Sequence, residues 1–138
     1  MKQTLVHLRW GDIDILGHVY NGYYQHYFDA GKSDYFNSTL GLSTVLSEDG
    51  VGLVTANTNT NFYESILPHN KVMIETIVER LGTKGITMFQ RIVDRASGVV
   101  KADSRSVMVC INIAQSCSVE IPQRWRANIV EELGFGDL

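Results

Sequence analysis

Scarcity shapes the first reading of this chain. It holds only two cysteines, Cys110 and Cys117, in no metal-type spacing. That excludes a disulfide framework and a cysteine-built metal centre, and points to reduced thiols in a cytoplasmic protein. No uninterrupted apolar run approaches the ~20 residues that a membrane-spanning helix needs, and the stretch Met1 to His7 lacks the apolar core of a secretory leader. A membrane partner is therefore not expected. Basic residues are few and scattered: 12 Lys and Arg stand against 15 Asp and Glu, for a net charge of −3. No basic run can track phosphates, so nucleic acid is not an expected partner either. Low-complexity tracts, linkers and internal repeats are also missing.

What remains is 138 residues, 44% of them hydrophobic, enough for one domain with a sizeable core. Residues 1–138 are read as that single domain. Thr4 to Trp10 alternates and predicts a first strand. From Gly22 to about Leu40 the apolar residues fall at helical spacing, with Tyr24, Tyr27, Phe28, Gly31 and Tyr35 in one stripe and Gln25, Asp29, Lys32 and Ser33 away from it. Asn21 is a natural N-cap, and Gly41 a natural stop. Gly31 stands mid-helix, where glycine costs roughly 1 kcal/mol against alanine. Close approach of a sheet to the helix would compensate. A short helical turn is read over Ser43 to Asp49.

Four strand-like runs follow, Val51 to Glu64, Val72 to Leu81, Ile86 to Arg95 and Val99 to Ile113. Gly82 to Gly85 and Ser97-Gly98 supply hairpin turns. Pro122 opens a last short helix carrying Trp125, Ile129 and Leu133 at helical spacing. Strands in succession without intervening helices imply an antiparallel sheet, hence an α+β domain with five strands and one long helix. One helix cannot cover both faces of such a sheet, so an edge strand or the outer face is expected to meet a partner, making the chain a homo-oligomer.

The chemistry concentrates in Arg9-Trp10-Gly11-Asp12-Ile13-Asp14-Ile15-Leu16-Gly17-His18-Val19-Tyr20-Asn21. A calcium loop is one reading of Asp12, Asp14 and Gly17. It fails because Leu16 stands at the fifth position and Tyr23 where the bidentate Glu must be. A transition-metal site built on Asp12, Asp14 and His18 has no second His or Cys nearby in sequence, and no metal is expected. The third reading is metal-free acyl chemistry. A carboxylate supplies a nucleophile or a base toward water, and the N–H groups that open the following helix face the developing oxyanion. On spacing alone, turn-forming and capping roles for the same aspartates stand beside it.

The run from Arg9 to Tyr24 resembles the opening motif of the 4-hydroxybenzoyl-CoA thioesterase family, acyl-CoA thioesterases of the hotdog fold. Later pieces agree in order: Phe28-Asp29-Ala30-Gly31 with the family's central helix, Leu67-Pro68 and Val72 to Thr76 with its second hairpin, and Ile121-Pro122 with its closing segment. The resemblance implies a long central helix wrapped by a five-stranded antiparallel sheet, and hydrolysis of an acyl-CoA to free acid and coenzyme A. Carried over residue by residue, Asp14 is the nucleophile or general base, Asp12 holds the loop, the Asn21 backbone N–H is the oxyanion donor, and His18 orients the thioester or the loop. Tyr20 stands where many relatives carry a second asparagine. The family's active site lies between subunits of a dimer or tetramer, where Asn59 and Asn61 would contribute. Arg80, Lys84 and Arg91 are candidates for the coenzyme A phosphates. Coenzyme A is substrate, so no cofactor is implied. The alternatives carried forward are a non-catalytic acyl-CoA or acyl-carrier-protein binding protein and another hotdog enzyme, such as an acyl-ACP thioesterase. The Asp, Asn-Pro, His pattern of hotdog hydratases is not visible.

Overall fold

The computed structural model describes residues 1–41 and 50–133. Strand β1 (Lys2–Val6) leads through two short 3-10 turns, Trp10–Asp12 and Asn21–Tyr23, into helix α1 (Tyr24–Thr39). Strands β2 (Val51–Phe62), β3 (Val72–Leu81), β4 (Gly85–Asp94) and β5 (Val100–Asn112) follow, then a two-residue strand β6 (Cys117–Ser118) and helix α2 (Gln123–Leu133). All pairings are antiparallel, and the sheet runs β1-β3-β4-β5-β2, with β6 added beside the end of β5. The expected five strands are present. The sixth, β6, is too short to carry an alternation pattern. The predicted helical turn over 43–49 lies outside the described residues.

β1 stops at Val6, short of the predicted Trp10, because its last ladder partner is Val72, the first residue of β3. Without a neighbour to pair with, the chain leaves the sheet and the site loop begins. Asn21 does not cap α1. It opens a 3-10 turn, and the N-cap of α1 is Tyr23, with no side-chain cap bond. Gly41 follows the C-cap Leu40 at φ 69°, as a helix stop requires.

The sheet curls around α1, whose stripe Tyr24, Tyr27, Phe28, Gly31 and Tyr35 is buried. Phe28 is wholly buried, which contributes roughly 2–3 kcal/mol for a side chain of this size. Lys32, read as lying away from the stripe, is buried as well. It stands four residues after Phe28 and three before Tyr35, which places it on the same flank. Its Nζ has no hydrogen-bond partner among the described residues, and Asp29 Oδ1 lies 4.0 Å away. Burial lowers the pKa of its ammonium despite the attraction of Asp29. Two core clusters share the helix. One gathers Tyr35, Met88, Cys110, Trp125 and Ile129 at its C-terminal half. The other gathers Val19, Tyr24, Phe28, Ile66 and Ile92 at its N-terminal half, under the site loop.

β2 is an edge strand, bulged between Thr55 and Asn57, and residues 54–59 are exposed. Its Asn-Thr-Asn-Thr-Asn centre is therefore explained by solvent on the edge, not by burial in the sheet.

Gly31 is where helix and sheet touch. A Cβ there would lie 2.7 Å from Ile74 Cγ2 and 2.8 Å from both Gln90 Nε2 and Thr76 Oγ1. Gln90 is pinned, because its Nε2 donates to the Phe28 carbonyl at 2.8 Å and to Thr76 Oγ1 at 3.0 Å. Gly31→Ala should therefore destabilise the fold by about 1–3 kcal/mol through overpacking, despite a gain of roughly 1 kcal/mol in helix propensity. Urea denaturation of both proteins measures this, and an unchanged or higher unfolding free energy would contradict the contact.

Candidate active site

The loop between β1 and α1 is strapped at several points. Asp12 and Ile13 donate backbone N–H bonds to Arg9 and Trp10, at 3.0 and 3.3 Å, closing a 3-10 turn. Beyond it the chain doubles back as a tight hairpin. Asp14 N–H donates to the His18 carbonyl at 2.8 Å, Gly17 N–H donates to the Asp14 carbonyl at 3.0 Å, and Ile13 bridges Val19. Gly17 takes φ +77°, the left-handed position that closes a three-residue hairpin loop. Val19 N–H then donates to the Ile66 carbonyl at 2.9 Å, fastening the hairpin to the segment after β2.

The two aspartates of the motif have opposite surroundings. Asp12 is buried, at 2% exposure. Its carboxylate accepts from Tyr27 OH at 2.8 Å, from Arg9 N–H at 3.3 Å and from Arg9 Nε at 3.1 Å. Burial alone would raise its pKa; the Tyr27 and Arg9 hydrogen bonds and the Arg9 charge outweigh this and hold it below its ordinary value. Burial, and then Asp12 itself, push the Tyr27 phenol well above its usual range. With both oxygens occupied, Asp12 is a structural anchor.

Asp14 is half-buried and opens on a cleft of about 370 Å³. Its Oδ1 accepts from Leu16 N–H at 2.9 Å. Oδ2 has no partner among the described residues. The cleft is also lined by His18, Asn21, Tyr24, Phe62 and Tyr63. The His18 imidazole makes no hydrogen bond among the described residues. The backbone N–H groups of Asn21 and Gly22, first in the turn that leads into α1, find no acceptor among those residues. The cleft therefore combines a half-free carboxylate with Asn21, whose amide is unpaired among the described residues at the start of the turn that leads into α1.

Tyr24, Phe62 and Tyr63 are cleft residues that the sequence reading did not assign. Tyr24 stacks edge-on against Phe62, with ring centroids 5.0 Å apart, and its oxygen accepts from Ile66 N–H at 3.3 Å. Burial first, and the nearby Asp14 charge as well, raise its pKa, so it stays a protonated phenol beside the carboxylate. Its place as the first residue of the buried stripe made it read as core; it is core and cleft wall together. Tyr63 is held at the rim by donating to Asp103 Oδ2 at 2.7 Å.

The other assigned residues lie elsewhere. Asn59 sits exposed in the middle of β2, opposite Arg105. Arg80 and Lys84 lie at the β3–β4 turn, at the far end of β3 from the cleft, a strand length of roughly 30 Å. They do not join the cleft of their own protomer. Arg91 donates through Nε to Glu75 Oε1 at 2.8 Å. Asn61 donates to Asp103 Oδ1 at 3.1 Å.

A family model described as the Thioesterase-like superfamily matches residues 8–129, and the chain belongs to that superfamily. Solved structures share its hotdog architecture. The PA5185 protein of Pseudomonas aeruginosa superposes with a TM-score of 0.86 at 23% identity, over 95% of this chain and 90% of that one. A predicted thioesterase from Bacillus stearothermophilus gives 0.81 at 26% identity, over 94% and 93%. The SAV2348 protein of Staphylococcus aureus, solved in complex with CoA, gives 0.85 at 17% identity, over 94% and 81%. No curated protein matches the sequence significantly. Among the described residues no helix is long and apolar enough to cross a membrane.

The anchor makes a stability prediction. The folded Asp12 binds its proton less readily than the unfolded chain. Its contribution is thus complete above the unfolded value of about 3.9 and is lost as pH falls through the folded one. Asp12→Ala strands the Tyr27 hydroxyl and should cost about 2 kcal/mol at neutral pH. The gap to wild type should narrow in acid below about pH 4. Denaturation curves at a series of pH values test this, and a gap that is constant or widens in acid would contradict the assignment.

Proposed function

We propose that this chain is an acyl-CoA thioesterase, related to the 4-hydroxybenzoyl-CoA thioesterases, that converts a thioester and water to a free acid and coenzyme A. The observation that carries the reading is the pairing in one cleft of the Asp14 carboxylate with Asn21, whose backbone amide finds no acceptor among the described residues. The bond from Leu16 N–H orients the Asp14 carboxylate and leaves Oδ2 for chemistry. As general base, that oxygen takes a proton from water as the water attacks the carbonyl carbon. As nucleophile, it forms an anhydride that water then opens. In either course the carbonyl oxygen gains negative charge at the Asn21 N–H, where the helix-end dipole favours it. The tetrahedral centre then collapses, the C–S bond breaks, and the thiolate leaves and is protonated. His18, with no hydrogen bond among the described residues, stands at the cleft to orient the thioester. The reaction needs only water and substrate, with no cofactor, and suits a cytoplasmic enzyme.

A homo-oligomer belongs to the same reading, with the cleft completed by a second copy. Its support is the open edge of β2, which ends at the cleft residue Phe62, and the apolar side chains left bare around the rim. Ile15 is 99% exposed and Leu16 74%. An uncovered edge and patch of this kind favour association.

The test is hydrolysis of a panel of acyl-CoAs, read as released thiol. Asp14→Ala and Asp14→Asn should each lower kcat by about 10²–10⁴-fold while leaving the fold intact. Wild-type rates in both would end the proposal.

A further inference from the structure

The inner face of the sheet is not apolar throughout. Between the two core clusters a polar row crosses it from strand to strand. Thr76 pairs with Gln90, Gln90 with Ser104 and Ser104 with Thr60. Thr76, Gln90 and Ser104 are buried. Gln90 Nε2 donates to the Phe28 carbonyl and lies against Gly31, so the row passes beneath the turn of α1 from Phe28 to Lys32. The Lys32 side chain is only 5% exposed, and its Nζ has no hydrogen-bond partner among the described residues. Asp29 Oδ1, 4.0 Å away, already accepts from Gln25 Nε2 at 2.9 Å, and the Asp29 side chain is 58% exposed. A buried ammonium given so little opposite charge is costly.

Helix geometry fixes where Lys32 faces. Asp34 accepts from Thr4 Oγ1 at 2.6 Å, so its flank of α1 lies over β1, one edge of the sheet. Lys32 stands two residues earlier, about 160° away around the axis, and so faces the other side, where β5 and β2 run. Among the described residues the helix lies close along β1, β3 and β4 and stands off from β5 and β2. The buried β5 side chains opposite it there, Ser104 and Ser106, are small. This seam opens at the Asp14 cleft. Tyr24 and Phe62, whose ring centroids are 5.0 Å apart, line the cleft from helix and strand. Further in on the strand, Thr60 Oγ1 bonds Ser104 Oγ at 3.0 Å. Further in on the helix comes Lys32, two turns or about 11 Å beyond Tyr24. Its side chain leans back toward the helix start, as the approach to Asp29 shows. We propose that the acyl group runs from the cleft into this seam and that the Lys32 ammonium receives a carboxylate at its far end. The preferred substrate is then the monothioester of a dicarboxylic acid. The proposal rests on the acyl-CoA reading above. A carboxylate held there gives Lys32 the partner that burial makes costly to lack.

Calorimetry with non-hydrolysable ketone analogues of acyl-CoA tests the seat without any turnover. The analogues are matched in pairs over a series of chain lengths, one of each pair ending in a carboxylate and the other in a methyl group. At the length that spans the seam, wild type should bind the carboxylate-ended analogue at least tenfold more tightly than its methyl-ended match. Lys32→Met, close in length and without charge, should abolish or reverse that preference. No preference in wild type at any length, or a preference that survives the substitution, would overturn the proposal. A hydroxyl-ended analogue bound as tightly as the carboxylate-ended one would overturn charge as the feature recognised. In the kinetic arm, Lys32→Met should lower kcat/KM for the carboxylate-ended acyl-CoA at least tenfold relative to the methyl-ended one. Equal losses on both substrates would contradict the proposal. Should neither be hydrolysed while the binding preference stands, the hydrolase reading fails and this one holds. Should both be hydrolysed alike by wild type, the hydrolase reading holds and this one fails.

Discussion

The buried carboxylate of Asp12 ties the site together. Two oxygens, in a place with almost no water, are satisfied by a phenol from α1 and by the amide and guanidinium of Arg9. A carboxylate stripped of solvent is costly unless each lone pair finds a donor. Here the donors come from both ends of the segment that must be positioned, the exit of β1 and the second turn of the helix. The loop between them is therefore held to the helix from below. The main-chain bonds of Val19 to Ile66 and of Tyr20 to Asp12, both 2.9 Å, hold it from the side.

That arrangement separates two chemically identical side chains two residues apart. Asp12 is inside, ionised and bonded at both oxygens; Asp14 is at the cleft with one oxygen bonded and the other without a partner among the described residues. The hairpin enforces the difference. It reverses the chain at Gly17, and its ladder turns Asp14 toward the cleft and Asn21. The proposed reaction needs this asymmetry, since a carboxylate saturated with donors is a poor base and an unanchored loop cannot hold the other one in register with the helix start.

Much of this was legible in the residues because it is local. The Tyr24 to Tyr35 stripe gave the central helix, Gly31 gave its close approach to the sheet, and alternation gave four long strands with bounds within two residues. The loop motif gave Asp14 and Asn21 as neighbours in one site. What the residues did not give depends on non-local placement. The exposure of Asn57 to Asn59 follows from the sheet order, which puts β2 at an edge. Lys32 reads as solvated until the curl of the sheet covers its flank. Arg80 and Lys84 were named from the coenzyme A phosphates that the resemblance implies, and the residues do not say that the Gly82 to Gly85 turn lies at the end of β3 away from the cleft of the same protomer.

The central claim of the proposed function is that a thioester carbonyl oxygen rests on the main-chain amides of the 3-10 turn that leads into α1. The most direct measurement is the amide proton spectrum of Asn21 and Gly22 as a non-hydrolysable ketone analogue of an acyl-CoA is added. The amide proton of Asn21, with or without that of Gly22, should move downfield and saturate together with binding. An analogue that binds tightly while both resonances stay in place would contradict the claim.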